Sequence, residues 1–375
     1  MKMSGKTIAP GALAFLMLGA PLPAQPPLRS GAELYQAACS ACHGANGTGV
    51  PQSQVGFDLP LPDFTDCGFA SREPDDDWLA VAHDGGPARG FDEMMPAFGD
   101  ALTIEELERI LAHVRGFCRD DAWPRGELNL PRALHTEKAF PEDEAVYTVA
   151  VGTGKRKAFL NELLYEKRFG PRNQIEIAVP FGWREGSEGI ADPESGDGWV
   201  GSLGDMAVGV KRAFFHSLRK GSIFSVGAEL VLPTGDRAKG LGKGTSVVEP
   251  FASYGQILPG DFFFQSQAGL EFPFDTERAE KEGFWRLALG RTWTSGRFGR
   301  AWSPMVELLG ARELTEGSAV QWDIVPQIQV TLNRRQHVMM NVGVRLPTND
   351  RDNRDTVILF YLLWDWFDGG FLEGW

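Results

Sequence analysis

From about Tyr147 to the last residue, apolar and polar side chains alternate along the chain. In "QWDIVPQIQVTLN", Trp322, Ile324, Ile328, Val330 and Leu332 fall on one face, and Gln321, Asp323, Gln327, Gln329 and Thr331 on the other. "NQIEIAVPF" sets Ile175, Ile177, Val179 and Phe181 against Gln174 and Glu176, and "DFFFQSQAGLEF" and "HVMMNVGVRL" repeat the pattern. A period of two belongs to extended strands, whose side chains point alternately to opposite faces. Each run is about ten residues, the length at which a tilted strand crosses a bilayer. Turn-forming segments such as "PTGDRAKGLGKG" and "PTNDRDNRD" separate them.

Two architectures share this alternation. A soluble sandwich turns its apolar face into a core. An outer-membrane barrel turns that face to lipid and its polar face to the lumen. Three features favour the barrel. The polar faces carry large or charged side chains, including Glu162, Glu176, Glu229, Glu271, Glu307, Arg286 and Arg345. Trp285, Trp293, Trp302, Trp322, Trp364 and Trp366 sit towards run ends, as interfacial anchors would. Ala and Gly recur on the polar face, where they relieve crowding in a narrow lumen. The sequence holds ten to twelve such runs, and closure wants an even number, so about twelve strands are expected. The inward glutamates allow either a cation-preferring lumen or a packed polar interior with Arg286, Arg345 and Lys211 as partners. The small lumen favours the second.

The N-terminal third has a different texture. "CSACHG" puts Cys39 and Cys42 three apart, directly before His43. Two thiols at that spacing add across the vinyl groups of a haem, and the adjacent imidazole ligates its iron. A redox Cys-x-x-Cys does not need the histidine. A zinc site needs a second ligand pair, and Cys67 and Cys118 are too far apart in sequence to form one. A sixth iron ligand is available in "GFDEMMPAFGDALT". Met95 precedes Pro96, which stiffens the loop, and a thioether holds both oxidation states of iron. Met94 and His83 are the rival ligands. "LTIEELERILAHVRGFC" reads as an amphipathic helix with Ile104, Leu107, Ile110, Leu111, Val114 and Phe117 on one face. Thr103 and Glu106 form a capping box at its start, and His113 falls on its polar side. Gly31 would let a first helix, over "GAELYQAACSACHG", cross this one closely.

At these residues the stretch from about Gly31 to Arg119 resembles a class I cytochrome c domain, carried by CSACH, MMPAF and the two flanking helices. The resemblance implies a small all-α fold around one covalently attached haem c, with Cys39 and Cys42 as thioether anchors and His43 and Met95 as axial ligands. A long proline-rich stretch before Trp78 departs from the pattern. Cys67 would pin it to Cys118, although two free thiols satisfy the sequence as well. The C-terminal texture, with turns such as "YEKRFGPRNQIEIAVPF", resembles barrels of the phenol-degradation (MetA-pathway) transporter-like family, and carries no functional residues over.

The chain begins with Lys2 and Lys6, an apolar run from Ile8 to Leu18 and a proline-rich stretch. This is the pattern of a secretory signal peptide cleaved near Ala24. Export is compatible with a Cys67–Cys118 disulfide. The net charge of −13 over 375 residues, without a basic run, argues against nucleic acid as partner. The expected organisation is α + β: signal peptide 1–24, cytochrome c domain 25–120, linker 121–146, and an antiparallel transmembrane barrel 147–375. The expected function is haem c electron transfer in the outer membrane, with the cytochrome in the periplasm. A periplasmic or membrane redox partner and outer-membrane lipid are its expected contacts. No nucleophile–base pair, phosphate loop or nicotinamide fingerprint is present, so no independent catalysis is expected. The alternatives are a porin-like barrel passing a small solute with a tethered redox docking domain, and a periplasmic haem protein with a soluble sandwich.

Overall fold

The computed structural model describes residues 29–154, 157–185 and 198–365. The expected leader and Trp366 lie outside them. Six helices come first: α1 (Gly31–Ala38), α2 (Ser40–His43), α3 (Gln52–Val55), α4 (Cys67–Ala70), α5 (Asp75–Asp84) and α6 (Ile104–Arg115). Both long ends of this domain are capped as their sequences direct. Thr103 and Glu106 close the expected capping box on α6, and Ser30 and Glu33 close a second on α1. α1 crosses α6 at Gly31, where a Cβ would stand 2.0 Å from the Arg109 carbonyl oxygen, so only glycine permits the approach. Leu34, Tyr35, Leu107, Ile110, Leu111 and Val114 form the core between them, with Phe64 and Leu79. His113 is half-buried. Its ring packs 5.3 Å from Tyr35 and 4.9 Å from Phe117. Cys67 and Cys118 are disulfide-bonded, which ties the proline-rich stretch to the end of α6.

The remainder is a closed antiparallel barrel of twelve strands. The strands are β1 (Glu144–Gly152), β2 (Ala158–Phe169), β3 (Asn173–Glu185), β4 (Trp199–Leu203), β5 (Ala207–Ser217), β6 (Ser222–Val231) and β7 (Val247–Leu258). They continue with β8 (Phe262–Pro273), β9 (Glu282–Arg291), β10 (Trp293–Thr294), β11 (Ala301–Glu313), β12 (Gln321–Thr331), β13 (Val338–Pro347) and β14 (Val357–Asp365). β4 and β10 are short additions on β3 and β11. β1 pairs with both β2 and β14, and β9 pairs with β11, so the ring has no free edge. β1 begins at Glu144, three residues before the alternation becomes legible at Tyr147.

Alternation maps onto the two faces as its period demands. Leu163, Ile177, Val210, Val306, Ile324 and Val342 are exposed on the outside. Gln174, Glu176, Gln265, Gln267, Glu307 and Asn341 are buried inside. Trp183, Trp285 and Trp322 lie outward near one rim, and Trp293, Trp302 and Trp364 near the other. A soluble sandwich would bury the apolar face, and this chain exposes it.

Candidate functional site

Residues 121–143 join the two bodies, but they are not a free tether. From Gly126 onward the segment enters the barrel and spends its backbone polar groups on the inner wall. The Leu134 N–H donates to Gln327 on β12, and those of His135 and Thr136 donate to Glu307 on β11. The Glu137 N–H donates to Gln267 on β8, and that of Glu142 to Gln174 on β3. In the other direction, Gln265 donates to the Pro131 carbonyl, Arg286 to that of His135, and Tyr361 to that of Arg132. A strand needs a neighbouring strand for its ladder. This segment takes side chains from the wall instead, which explains why no secondary-structure period appears in its sequence.

Charges lock the same segment in place. Arg132 lies 2.5 Å from Glu144, 2.9 Å from Glu166 and 3.6 Å from Glu137. Lys138 pairs with Glu142 and Glu144, and Lys211 of β5 pairs with Glu137. The inner wall is therefore a packed polar interior, with the joining segment as its principal partner. Of the three cations expected to neutralise the wall, Lys211 and Arg286 both reach that segment. Gln174 and Asn341 point inward among other polar groups. Both are fully buried, Gln174 against Glu142, Glu166 and Glu176, and Asn341 against Arg132 and Gln327. Glu137, Glu166 and Glu176 bring carboxylate oxygens within 4.8 Å of one another, and Lys211, Arg132 and Gln174 already satisfy them.

The helical domain rests on one end of the barrel. His337, in the β12–β13 turn, bridges Glu73 at 3.1 Å and Asp365 at 3.3 Å. Arg72 reaches Asp143, and Arg335 stacks 4.5 Å over Phe91. Arg168 covers the ring of Trp123, and Arg172 donates to the Ala122 carbonyl. Arg89 is buried, binding Asp77 at 2.6 Å and the carbonyl of Phe298 at 2.8 Å. Burial, with Glu73 adding to it and Arg89 opposing it, pushes the Asp77 carboxyl up to about 6.

Within that domain, α2 presents Cys42 and His43 one turn after Cys39 caps it. The carbonyls of His43 and Gly44 accept from the buried hydroxyl of Tyr35, which fixes the turn that ends α2. Gly44 takes φ +73°, a conformation that glycine adopts without strain. The His43 ring stacks 4.9 Å from Phe64. Its burial lowers the imidazole pKa and keeps it neutral, with a lone pair free for a metal. Its Nδ1 is buried with no hydrogen-bond partner among the described residues. Cys39 and Cys42 are half-buried free thiols, while Cys67 and Cys118 are joined. Burial raises the Cys39 thiol to about 11. On the other side, Met95 is half-buried, whereas Met94 is 47 % exposed. The Met95 carbonyl accepts from the Gly86 N–H at 2.9 Å, which ties the loop to the turn after α5. His83 is engaged elsewhere, with Nδ1 2.5 Å from Asp84 and its ring 5.7 Å from Phe298. Two unbridged thiols three residues apart, a neutral imidazole with an orphaned nitrogen, and a half-buried thioether fit a haem c.

Residues 26–114 match the family described as cytochrome c oxidase, cbb3-type, subunit III. Residues 143–303 match the family described as putative MetA-pathway of phenol degradation. No curated protein matches the chain. Among solved structures, an outer membrane channel from Pseudomonas putida F1 is 12 % identical, with a TM-score of 0.44, covering 63 % of this chain and 99 % of that one. The KdgM porin is 9 % identical, with a TM-score of 0.38, covering 59 % of this chain and 98 % of that one. The N-terminal third is thus a cytochrome c-type domain, and the barrel after it is similar to the second family over residues 143–303.

Proposed function

We propose that this chain is a haem c electron-transfer protein held in the outer membrane by its barrel, with the cytochrome on the periplasmic side. Cys39 and Cys42 would anchor one haem covalently, and His43 and Met95 would be its axial ligands. A bound haem c supplies one-electron exchange between ferrous and ferric iron. The chain's own residues hold the imidazole neutral, aim the thioether and exclude water through the core of Leu34, Tyr35, Phe64 and Leu79. One electron enters from a periplasmic or membrane redox protein and leaves to another. The observation that carries this reading over a conducting pore is the lumen filled by the segment around Arg132.

Loop lengths support this orientation. The cytochrome rests at the end where β1 begins and β14 ends, whose connections are 170–172, 218–221, 259–261, 292–300 and 332–337. The opposite end carries 232–246, 274–281 and 348–356. Outer-membrane barrels keep short turns in the periplasm and long loops outside.

The ligand set is tested by Met95→Ala. It should remove the methionine–iron charge-transfer band of the ferric protein and lower the potential, because loss of a soft ligand favours ferric iron. If Met94→Ala does this instead, the register is off by one. If neither does, His83 takes the position.

The membrane reading has its own test. Arginine at Ile177 or Val342, both 40 % exposed on the outer face, should destabilise the barrel by about 2–4 kcal/mol at mid-membrane depth. Leu314, just beyond the end of β11, should tolerate arginine at a cost of about 0–1 kcal/mol, because it lies near the interface. The loss of heat-modifiable migration at lower temperature reads the difference. Equal tolerance at all three positions, or a full-length protein soluble without detergent, would sink the membrane assignment.

A further inference from the structure

The barrel does more than carry the cytochrome. Its turn between β10 and β11 reaches into the helical domain, and Phe298 packs there against the core formed by α1, α5 and α6. The contact lies on one side of a short relay. The Phe298 carbonyl accepts from Arg89, which ends the turn Gly86–Arg89. At the start of that turn, the Gly86 N–H donates to the Met95 carbonyl at 2.9 Å. The Phe98 N–H donates to Ala82 at 3.0 Å and the Gly99 N–H to His83 at 2.9 Å. The segment 95–99 is therefore fastened by three main-chain bonds to the last turn of α5 and the turn after it, and Phe298 and Arg89 brace those same elements from the barrel side. The 95–99 segment packs closely on these elements. A Cβ on Gly86 would stand 2.1 Å from the Asp92 carbonyl oxygen, and one on Gly99 would stand 2.6 Å from the His83 ring.

We infer that Phe298 is a positioning residue for the sixth iron ligand: the barrel turn holds the end of α5 against the Met95 loop and so keeps the thioether aimed. This rests on the ligand set proposed above. Its consequence is that the strength of methionine ligation depends on docking to the barrel. A loop freed from its brace spends more time with the sulfur turned away. An external ligand then competes with it more easily, because apparent affinity scales with the fraction of molecules in the open state.

The test uses full-length, haem-loaded protein in detergent, with imidazole as the probe. Phe298→Ala should raise imidazole affinity by about tenfold and weaken the methionine–iron band, and Phe298→Leu should restore both towards wild type. Haem staining and heat-modifiable migration should be unchanged in either variant, which a general loss of structure would not leave intact. Should Phe298→Ala fail to assemble, Phe298→Val carries the same reading with a smaller shift. Imidazole affinity and band intensity indistinguishable from wild type in Phe298→Ala or Phe298→Val would overturn the inference. Met95→Ala separates the two levels. A strong effect of Met95→Ala beside a silent Phe298→Ala overturns the inference alone, whereas a silent Met95→Ala overturns the ligand assignment and the inference with it.

Discussion

Replacing Cys39 and Cys42 together by alanine should abolish haem staining of the denatured chain. Thioether bonds survive denaturation, whereas a haem held only by axial ligands leaves when the fold does. The double variant should therefore lose the signal completely, a larger change than any single ligand substitution would produce. Cys67→Ser with Cys118→Ser is the matched control. It also removes two sulfurs, but those are consumed in a disulfide that ties the proline-rich stretch to the end of α6. It should retain the stain, with stability reduced by about 2–5 kcal/mol, as is usual when a small exported domain loses its bridge. Retained staining would refute covalent attachment at this motif.

How much of this was legible in the sequence depended on whether a residue's role is local. Strand alternation is local, so the barrel, its inward and outward faces and its twelve strands could be read from residues such as Ile177, Glu176 and Val342. The capping box at Thr103 and the close crossing at Gly31 are likewise determined by short-range geometry. The CSACH motif carries its chemistry in five consecutive residues. The role of 126–143 is the opposite case. Its partners, from Gln174 to Tyr361, are distant in sequence, and its backbone bonds go to side chains rather than to a ladder, so it leaves no period. One signal was present: "RALHTEK" places Arg132 and Lys138 in a stretch otherwise read as a spacer, across from a polar face rich in glutamate. The ring contacts of His113 went unread for a related reason. Its position on the helical wheel said polar side, but Tyr35 and Phe117 come together there only once α1 crosses α6. Phe298 had no sequence signal, because a turn phenylalanine becomes a brace only when the cytochrome docks on it.

The filled lumen leads to the second large effect. Wild-type protein should be electrically silent in a planar bilayer, because the segment around Arg132 fills the lumen. Replacing 130–141 by a glycine–serine stretch of equal length should open an ohmic conductance, because the flexible substitute cannot reproduce the bonds to Glu307, Gln327, Gln267 and Gln174. Its length keeps the cytochrome attached, so haem staining should persist and serve as the control. The single substitution Arg132→Ala probes the same lock from its centre. It strands Glu144 and Glu166, which are 1 % and 0 % exposed at the side chain, with less positive charge to face. Breaking a buried pair by removing one partner costs about 3–5 kcal/mol. It also weakens the hold on the segment whose carbonyl receives the Tyr361 hydroxyl. The variant should lose heat-modifiable migration at a lower temperature than wild type and show intermittent openings rather than a permanent current. A wild-type barrel that conducts as well as the glycine–serine variant would mean that the segment does not close the lumen. The porin reading, with the cytochrome as a docking domain beside an open channel, would then replace the electron-transfer anchor.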